Sequence, residues 1–284
     1  MYNSFMNYKY EEQKISFDKI GIVYNSFSAG YEKAVETIKS ELTKSGISFV
    51  VNPIENMDNT VTLAIIIGGD GTLLRAARYY AKYSIPVFGI NMGRLGFLAQ
   101  SSIDEISISV KKILNGEYNC EERLMLSATP GKLSALNDIV IKSESFSRTA
   151  RLFVSINGNK VCDYLADGLI ISTPTGSTAY NISAGGPILV PRLNAFIIVP
   201  ICPHSLNARP LVIPSNEKIE ITSADNLKRL KIAADGQNIF SIPENTTITI
   251  RKHKKRAKIL LLNDKSFYSV LKEKLYWGMT NSKK

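Results

Sequence analysis

The sequence predicts an open α/β domain followed by an all-β domain. The chain has 284 residues, and a single hydrophobic core usually stops growing near ~250 residues. Strand and helix patterns alternate along the first third, whereas short strand patterns separated by turns follow from about residue 120. A hydrophobic content of 44% with 21% charged residues is ordinary for a packed globular protein. We therefore expect two domains, each with its own core.

The α/β prediction depends on the order of the first six segments. They are the strand Lys19 to Asn25, the helix Tyr31 to Ser45, the strands ISFVV (47–51) and LAIIIGG (63–69), the helix Leu73 to Tyr83 and the strand Ile85 to Ile90. This βαβα order predicts parallel strands, and open parallel sheets bind ligands beyond the carboxyl ends of their strands. The segment GGDGT, residues 68–72, lies at one of these ends.

The all-β prediction depends on eight strand-like segments. They are RLMLSAT (123–129), SALNDIVIK (134–142), RLFVSING (151–158), KVCDYLADGLIIST (160–173), KIEITS (218–223), LKIAADG (230–236), TTITIR (246–251) and AKILLLN (257–263). Such a pattern is typical of a β-sandwich. A last segment, Ser266 to Trp277, has apolar residues at helical spacing and predicts a closing helix. The predicted domains are 1–118 with the returning segment 264–284, and 119–263.

Composition excludes several classes of protein. No apolar run reaches the ~18 residues of a membrane-spanning helix, and the polar first residues contain no signal-peptide core. Cys120, Cys162 and Cys202 are far apart and lack CxxC spacing, which argues against disulfides and against a zinc site. We expect a cytoplasmic protein with no membrane partner.

The net charge of +10 fits either a nucleic-acid partner or small polyanions such as nucleotides. The densest basic segment, Arg251 to Lys258, lies between two strand patterns and resembles the tip of a β-hairpin. No aromatic residue interleaves it, as a base-stacking surface would require. We therefore predict no nucleic-acid partner.

The GGDGT segment has two interpretations. Glycines favour sharp turns, but they also let backbone N–H groups approach an anion at the start of a helix. Asp70 favours the second interpretation, because a carboxylate in a phosphate-binding loop repels its ligand unless it binds a metal or takes a proton from a nucleophile. Arg75 supplies compensating charge, or is an ordinary surface arginine.

A second polar concentration extends from Asp167 to Ile188, DGLIISTPTGSTAYNISAGGPI. Hydroxyl groups, backbone amides and one aromatic ring suit an adenine or ribose pocket, although such a loop can also be only a loop. A third polar feature is the pair Asn137 and Asp138, which interrupts an otherwise apolar strand pattern.

Taken together, these segments resemble the NAD kinase family. The family's hallmarks are GGDGT, a short Asn-Asp or Asn-Glu pair and a GLIISTPTGSTAY-type segment, and all three occur here in the family's order. PHSLNARP (203–210) and DGQ (235–237) add to the resemblance, which spans roughly residues 19 to 277. The GGDGT segment alone is shared with lipid kinases, so the combination carries the specificity.

The resemblance implies a fold, a reaction and partners. The fold would be a Rossmann-like open α/β domain and a C-terminal β-sandwich that binds NAD, with the C-terminal helix returning to the N-terminal domain. The reaction would be ATP-dependent phosphorylation of the 2′-hydroxyl of the adenosine ribose of NAD, with Mg²⁺ or another divalent metal on the nucleotide phosphates. The family also suggests a homodimer or homotetramer. No acidic cluster predicts a protein-built metal site.

The resemblance also assigns residues. Asp70 would be the catalytic base. Phosphate-binding positions would be Gly68, Gly69, Gly71 and Thr72. NAD-binding positions would be Asp70, Gly71, Arg75, Asn137, Asp138, Arg148, Leu165, Asp167, Thr175, Thr178, Ala179, Tyr180, Asn181, Ile182, Ser183 and Gln237. Leu165 departs from the polar or basic residue common in relatives. His204 is either a hydrogen-bond donor near the phosphates or part of a buried turn.

Three alternatives use the same residues differently. A lipid or polyol kinase could use GGDGT with another acceptor, but the chain lacks an amphipathic membrane-docking segment. A nucleotide- or nucleic-acid-binding module without catalysis would have no reason to keep Asp70. An NAD-dependent dehydrogenase would need GxGxxG after the first strand, where this chain has SFSAG.

Overall fold

The computed structural model describes residues 17–93, 96–99, 101–144, 149–223, 230–243, 245–263 and 266–275. The described residues fall into two compact units. The first lies within Met1–Gly69, Val87–Glu121 and Leu260–Lys284, and the second within Asp70–Pro86 and Glu122–Ile259. Within the part of the chain that is described, no helix is long and apolar enough to cross a membrane.

The first sheet has seven strands and a parallel centre. Its path runs β2-β1-β3-β4-β19-β6, and β5 pairs with β4. Strands β1, β2, β3, β4 and β5 pair in parallel. The strands are β1 (Lys19–Tyr24), β2 (Ser48–Pro53), β3 (Leu63–Ile67), β4 (Val87–Asn91), β5 (Ser101–Ser102), β6 (Tyr118–Arg123) and β19 (Ala257–Leu262). The prediction of an open α/β fold at the N-terminus is confirmed.

The helices of the first unit pack through apolar faces. Helix α1 (Tyr31–Lys44) buries Ala34, Ile38 and Leu42 at helical spacing, in the same core cluster as strands β1 and β3. Helix α3 (Ile106–Leu114), which follows a 3₁₀ turn (Ile103–Glu105), adds Ile106, Val110 and Ile113 to that cluster. Helix α3 was not predicted from the sequence pattern. Helix α5 (Phe267–Leu275) belongs to this unit, as the predicted returning helix requires.

The second unit contains two six-stranded antiparallel sheets. Their orders are β11-β10-β15-β18-β7-β8 and β14-β13-β12-β9-β16-β17. The strands are β7 (Leu126–Thr129), β8 (Leu133–Ala135), β9 (Asp138–Ser143), β10 (Ala150–Ile156), β11 (Asn159–Ala166), β12 (Gly168–Ser172), β13 (Ala195–Ile201), β14 (Leu211–Pro214), β15 (Ile219–Ser223), β16 (Leu230–Ala234), β17 (Asn238–Ile242) and β18 (Ile248–Lys252).

One core cluster joins the two sheets. Val154 and Ile221 from one sheet pack in it with Leu169 and Ile171 from the other. Ile170 lies between these two residues in β12 and points to the opposite face, as strand geometry requires, where Leu189 packs against its cluster. The predicted β-sandwich is confirmed.

Two predicted strands are each divided between the two sheets. SALNDIVIK forms β8 and β9, and KVCDYLADGLIIST forms β11 and β12. The breaks fall at Leu136–Asn137 and at Asp167, where polar residues interrupt the apolar pattern. A continuous hydrophobic pattern does not reveal a change of sheet, because both sheets bury the same kind of residue. The polar interruptions therefore mark crossovers between the sheets.

The basic segment Arg251 to Lys258 is not a hairpin tip. Strand β18 belongs to the sandwich, whereas β19 belongs to the first sheet, so the residues between them connect two different sheets. A hairpin does occur earlier in the chain, where β10 and β11 pair across Asn157 and Gly158, which have φ angles of 49° and 84°. Positive φ at both turn residues is typical of two-residue hairpin turns.

Candidate active site

Helix α2 (Asp70–Ala81) begins at Asp70, whereas the sequence pattern predicted a start at Leu73. Asp70 and Gly71 therefore lie in the first turn of the helix and not in the connection before it. A carboxylate is favourable there because the helix dipole is positive at its N-terminus. The first backbone N–H groups of a helix also lack partners within the helix. This geometry suits anion binding at Asp70 to Thr72.

The glycines before Asp70 connect β3 to α2. In the first unit, the Gly68 N–H donates to the Ile90 carbonyl oxygen at 3.0 Å. A Cβ built on Gly69 would meet no heavy atom within 4 Å, so the fold leaves open space beside this exposed residue. Protein packing therefore does not require glycine at position 69. Thr72 is buried, and Arg75 is exposed on the same helix.

Gln237 connects the first turn of α2 to the turn between β16 and β17. Its Nε2 donates to the Gly71 carbonyl oxygen at 2.8 Å. Its Oε1 accepts from Arg78 Nη2 at 2.6 Å. Arg78 lies further along α2 and also forms an ion pair with Asp235, whose side chain has no exposed surface. Two residues of one helix are thus bound by a single turn, 235–237.

Asp235 holds the crossover segment that carries the Asn-Asp pair. Its carboxylate accepts the backbone N–H groups of Leu136 at 3.0 Å, Asn137 at 2.7 Å and Asp138 at 3.2 Å. Its own N–H donates to the Asp138 carbonyl oxygen at 3.0 Å. A carboxylate that accepts several backbone N–H groups forms strong, oriented hydrogen bonds. Asp235 therefore fixes the backbone of residues 136–138.

Thr173 completes the support of this segment. Its hydroxyl donates to the Leu136 carbonyl oxygen at 2.6 Å, and its N–H donates to the Asn137 carbonyl oxygen at 2.8 Å. The same hydroxyl accepts the Gly176 N–H at 3.1 Å. The Asn-Asp pair and the start of the hydroxyl-rich loop are thereby joined, as their joint occurrence in the sequence suggested.

Asp138 is a buried carboxyl group. Burial raises its pKa from 3.8 to about 7, and the negative charge of Asp235 adds to the effect. Asp138 is only 5% exposed, whereas Asn137 is half-buried. The pair therefore offers an amide and a carboxyl group that changes its charge near neutral pH.

The hydroxyl-rich loop is stabilised mainly by its own buried polar groups. It contains a 3₁₀ turn (Thr175–Thr178) and the short helix α4 (Tyr180–Ser183). Asn181 is fully buried and donates to the carbonyl oxygens of Ser177 at 2.8 Å and Pro187 at 2.9 Å. A Cβ on Gly186 would lie 2.1 Å from Asn181 Oδ1, so only glycine fits there. Asn181 thus holds the loop, and its predicted contact with NAD stays a prediction.

Other loop residues present groups at or near the surface. Tyr180 is exposed, and its hydroxyl accepts from Lys142 Nζ at 2.9 Å. Ser183 is exposed, and Thr178, Ala179 and Ile182 are half-buried. In the described chain, the Thr175 hydroxyl is buried and has no hydrogen-bond partner. Such a group is costly to bury, and a ligand that supplied a partner would remove the cost.

Leu165 and Asp167 are exposed at the crossover from β11 to β12, where their backbones bond to His204 and Ile201. His204 is itself exposed, so the buried-turn interpretation is wrong. Arg148 lies outside the described residues. Among the residues that are described, no group of three or more His, Cys, Asp and Glu side chains could hold a metal ion.

The sequence alone did not predict Arg78 and Asp235 as residues of the candidate site. Asp235 was part of the DGQ segment, but only Gln237 was assigned a role. A signal was available, because an Asp-Gly pair at the end of a strand favours left-handed backbone, and Asp235 and Gly236 have φ angles of 51° and 66°. Arg78 had no such signal, since a helical arginine is usually solvated.

The α/β and sandwich units, with an acidic residue in a glycine-flanked helix start, suit a phosphotransferase. Comparison with known proteins gives the family. Residues 16–118 match the ATP-NAD kinase N-terminal domain, and residues 136–262 match the ATP-NAD kinase C-terminal domain. The chain belongs to the NAD kinase family, and it is a kinase.

Individual relatives agree with this family assignment. An NAD kinase of Magnetococcus marinus is 40% identical over 237 residues, which cover 81% of this chain and 78% of that relative. One from Carboxydothermus hydrogenoformans is 40% identical over 247 residues, 84% of this chain and 88% of the relative. One from Pseudomonas fluorescens is 42% identical over 224 residues, 76% of each chain.

Two solved structures share the fold. The NAD kinase of Archaeoglobus fulgidus in complex with ATP has a TM-score of 0.76 and 27% identity, and covers 91% of this chain and 98% of its own. A yeast NADH kinase complexed with NADH has a TM-score of 0.77 and 22% identity, and covers 94% of this chain and 90% of its own. At that identity, the yeast structure supports the fold alone.

Proposed function

We propose that this chain transfers the γ-phosphoryl group of ATP to the 2′-hydroxyl of the adenosine ribose of NAD, which gives NADP and ADP. One observation carries the proposal beyond the family. Gln237 ties the first turn of α2, which holds Asp70, to the turn that supports Asn137 and Asp138. A proton acceptor and a pair of polar groups suited to a ribose are thus part of one hydrogen-bonded network.

Asp70 is proposed as the general base. Its carboxylate takes the proton from the ribose 2′-hydroxyl while that oxygen attacks the γ-phosphorus, and the bond from this phosphorus to the β-γ bridging oxygen breaks as ADP leaves. Most of the catalysis in such a reaction comes from positioning and from neutralising charge. The helix start at Asp70 to Thr72, with Gly68 and Gly69 before it and Arg75 one turn on, supplies donors and positive charge for the phosphates.

A divalent metal, Mg²⁺ in the simplest case, is proposed to enter with the nucleotide. The described residues gather no cluster of three or more metal-ligating side chains, and Mg²⁺ is commonly held by substrate phosphates, waters and one or two carboxylates. Asp70 is the carboxylate within the proposed phosphate-binding segment, residues 68–72. The bound metal would neutralise phosphate charge.

The acceptor is proposed to bind between the Asn-Asp pair and the hydroxyl-rich loop. An amide beside a carboxyl group can satisfy both hydroxyls of a ribose. Thr175, Tyr180 and Ser183 offer two hydroxyls and a ring face on the same loop. The further proposed contacts are Gly71, Arg148, Leu165, Asp167, Thr178, Ala179, Asn181, Ile182 and Gln237.

The proposed assembly is a homodimer or homotetramer, and the proposed domains are 1–118 with 264–284, and 119–263. ATP is the proposed donor because the archaeal relative is described in complex with ATP. Light scattering coupled to size exclusion tests the assembly. A monomer at micromolar concentration would contradict it.

One assay tests the reaction. Purified protein is incubated with NAD, ATP and Mg²⁺, and NADP is detected with an NADP-specific dehydrogenase. Parallel reactions replace NAD with a diacylglycerol or a polyol. Formation of NADP alone supports the proposal, whereas phosphorylation of a lipid or polyol without NADP would contradict it and favour the rival kinase.

A further inference from the structure

Arg78 is a buried arginine of the second unit. Its side chain is 7% exposed and lies on α2, on a different turn of the helix from Asp70. The guanidinium group binds the carboxylate of Asp235 and the amide oxygen of Gln237. It therefore does not simply neutralise one charge. Its planar, forked arrangement of donors holds two acceptors in fixed positions.

Each acceptor leads to a different part of the proposed site. Gln237 donates a hydrogen bond from Nε2 to the Gly71 carbonyl oxygen at 2.8 Å, and Gly71 is next to Asp70. The Asp235 carboxylate accepts hydrogen bonds from the backbone N–H groups of Leu136, Asn137 and Asp138. Because Arg78 bonds Gln237 through Oε1, it also orients the amide so that Nε2 faces Gly71.

We propose that Arg78 is a positioning residue for phosphoryl transfer, acting through Gln237 on the first turn of α2 and through Asp235 on segment 136–138. This inference rests on the proposed function. It assigns Arg78 no contact with a substrate. Arg78 holds Asp70 and the pair Asn137 and Asp138 at a fixed separation. Displacements of about 1 Å at a reacting group can cost about 100-fold in rate.

The two connections can be cut separately. Gln237→Ala removes the link to Gly71 but keeps the ion pair between Arg78 and Asp235. Because Gln237 is exposed, we expect this variant to fold. Arg78→Lys keeps the positive charge but cannot bond both acceptors as a fork, so it weakens both links. Asn238→Ala is the matched control, since Asn238 is an exposed amide directly after Gln237 and takes no part in the network.

Steady-state kinetics and melting temperature are measured for each variant, with kcat normalised to the folded fraction. We expect kcat to fall about 10- to 100-fold in Gln237→Ala and in Arg78→Lys. The KM for NAD changes less than about threefold in Arg78→Lys, whereas Gln237→Ala, which also removes a proposed NAD contact, raises it as well. We expect kcat of the double variant to be little lower than that of the more impaired single variant, because both changes act on the connection through Gln237 to Gly71. Asn238→Ala keeps wild-type kinetics.

Two results would overturn the inference. In the first, kcat per folded enzyme stays at the wild-type value and only the melting temperature falls, which is a structural role alone. In the second, the KM for NAD rises with kcat unchanged, which makes Gln237 an ordinary substrate contact.

Hydrogen exchange separates this inference from the proposed reaction. We expect faster exchange at the backbone amides of residues 136–138 in Arg78→Lys, and unchanged exchange in Asn238→Ala and in Gln237→Ala. Failure of the wild-type enzyme to form NADP would count against the reaction, and unchanged exchange in Arg78→Lys would count against the coupling whether or not the enzyme is active.

Discussion

The carbonyl oxygen of Asn137 occupies the space that a side chain at Gly176 would need. A Cβ built on Gly176 lies 2.2 Å from that oxygen, well inside van der Waals contact. The Asn-Asp pair and the TPTG segment, residues 173–176, therefore interlock. Their joint occurrence in the sequence has a steric cause as well as a chemical one.

Gly176→Ala should destabilise the second unit. The nearest atoms belong to the Asn137 backbone, which Asp235 and Thr173 hold in place, so the clash cannot be relieved cheaply. We expect a loss of about 3 kcal/mol or more and a fall in melting temperature of several degrees. Thermal unfolding of Gly93→Ala is the control, because the nearest atom to a Cβ there is 4.0 Å away. Equal melting temperatures for the two variants would contradict the prediction.

Asp70→Asn should abolish most of the turnover. The amide has nearly the same shape as the carboxylate but cannot accept the proton from the ribose hydroxyl. We expect kcat to fall by about 1,000-fold or more, with the KM for NAD little changed. Near-native turnover in this variant would remove Asp70 from the role of base.

Asp138 should make the stability of the protein depend on pH. Its pKa is raised from 3.8 to about 7, mainly by burial, so the folded state holds the proton more tightly than the unfolded chain. The resulting contribution to the free energy of unfolding is complete below the unfolded pKa and is lost as the pH rises through the folded pKa. We expect a loss of about 1–3 kcal/mol between pH 5 and pH 8.

The measurement for this prediction is thermal unfolding of the wild-type protein and of Asp138→Asn across the same pH range. The variant cannot titrate at this position, so its melting temperature should change less as the pH rises. Parallel curves for the two proteins would show that Asp138 does not cause the dependence.

Arg78→Met should leave a buried carboxylate without its cation. Asp235 has a fully buried side chain, and removal of one partner of a buried ion pair typically costs about 3–5 kcal/mol. We expect Arg78→Met combined with Asp235→Asn to recover part of this loss, because asparagine is neutral and its oxygen can still accept backbone N–H groups. Urea unfolding measures both. A double variant less stable than Arg78→Met would contradict this account.

Removal of divalent metal should stop turnover without unfolding the protein. The ion is proposed to bind on the nucleotide phosphates and not to support the fold. We expect a chelator to abolish NADP formation, Mg²⁺ in excess to restore it, and the melting temperature of the ligand-free protein to stay the same. A large fall in melting temperature on chelation would indicate a structural metal site.

The fold class could be predicted because the two halves of the chain have different hydrophobic periods. The fully buried strand Leu63–Ile67 and the apolar spacing of helix Tyr31–Lys44 are local signals. Changes of sheet were not predictable. The partners of β8 and β9 are decided by pairings with distant strands, and the polar interruption within SALNDIVIK does not by itself tell a change of sheet from a ligand-facing or turn position.

The residues of the candidate site also include some that the sequence predicted and some that it did not. Asp70, Asn137 and Asp138 could be found because a polar residue in an apolar context stands out. Arg78 could not, because its partner Asp235 is 157 positions away and a helical arginine looks the same whether it is solvated or buried. The sequence also did not show that the Asn181 amide is used inside the loop; its contact with NAD stays a prediction.

The crossover backbone at residues 136–138 also has a consequence for changing the acceptor. Its three N–H groups bond to the Asp235 carboxylate, and its three carbonyl oxygens accept from Thr173 and from the Asp235 N–H. The scaffold of this segment is therefore independent of the side chain at Asn137. If Asn137 contacts the acceptor as proposed, substitutions there should change which sugar is bound while the peptide frame stays in place, so that binding and support can be redesigned separately.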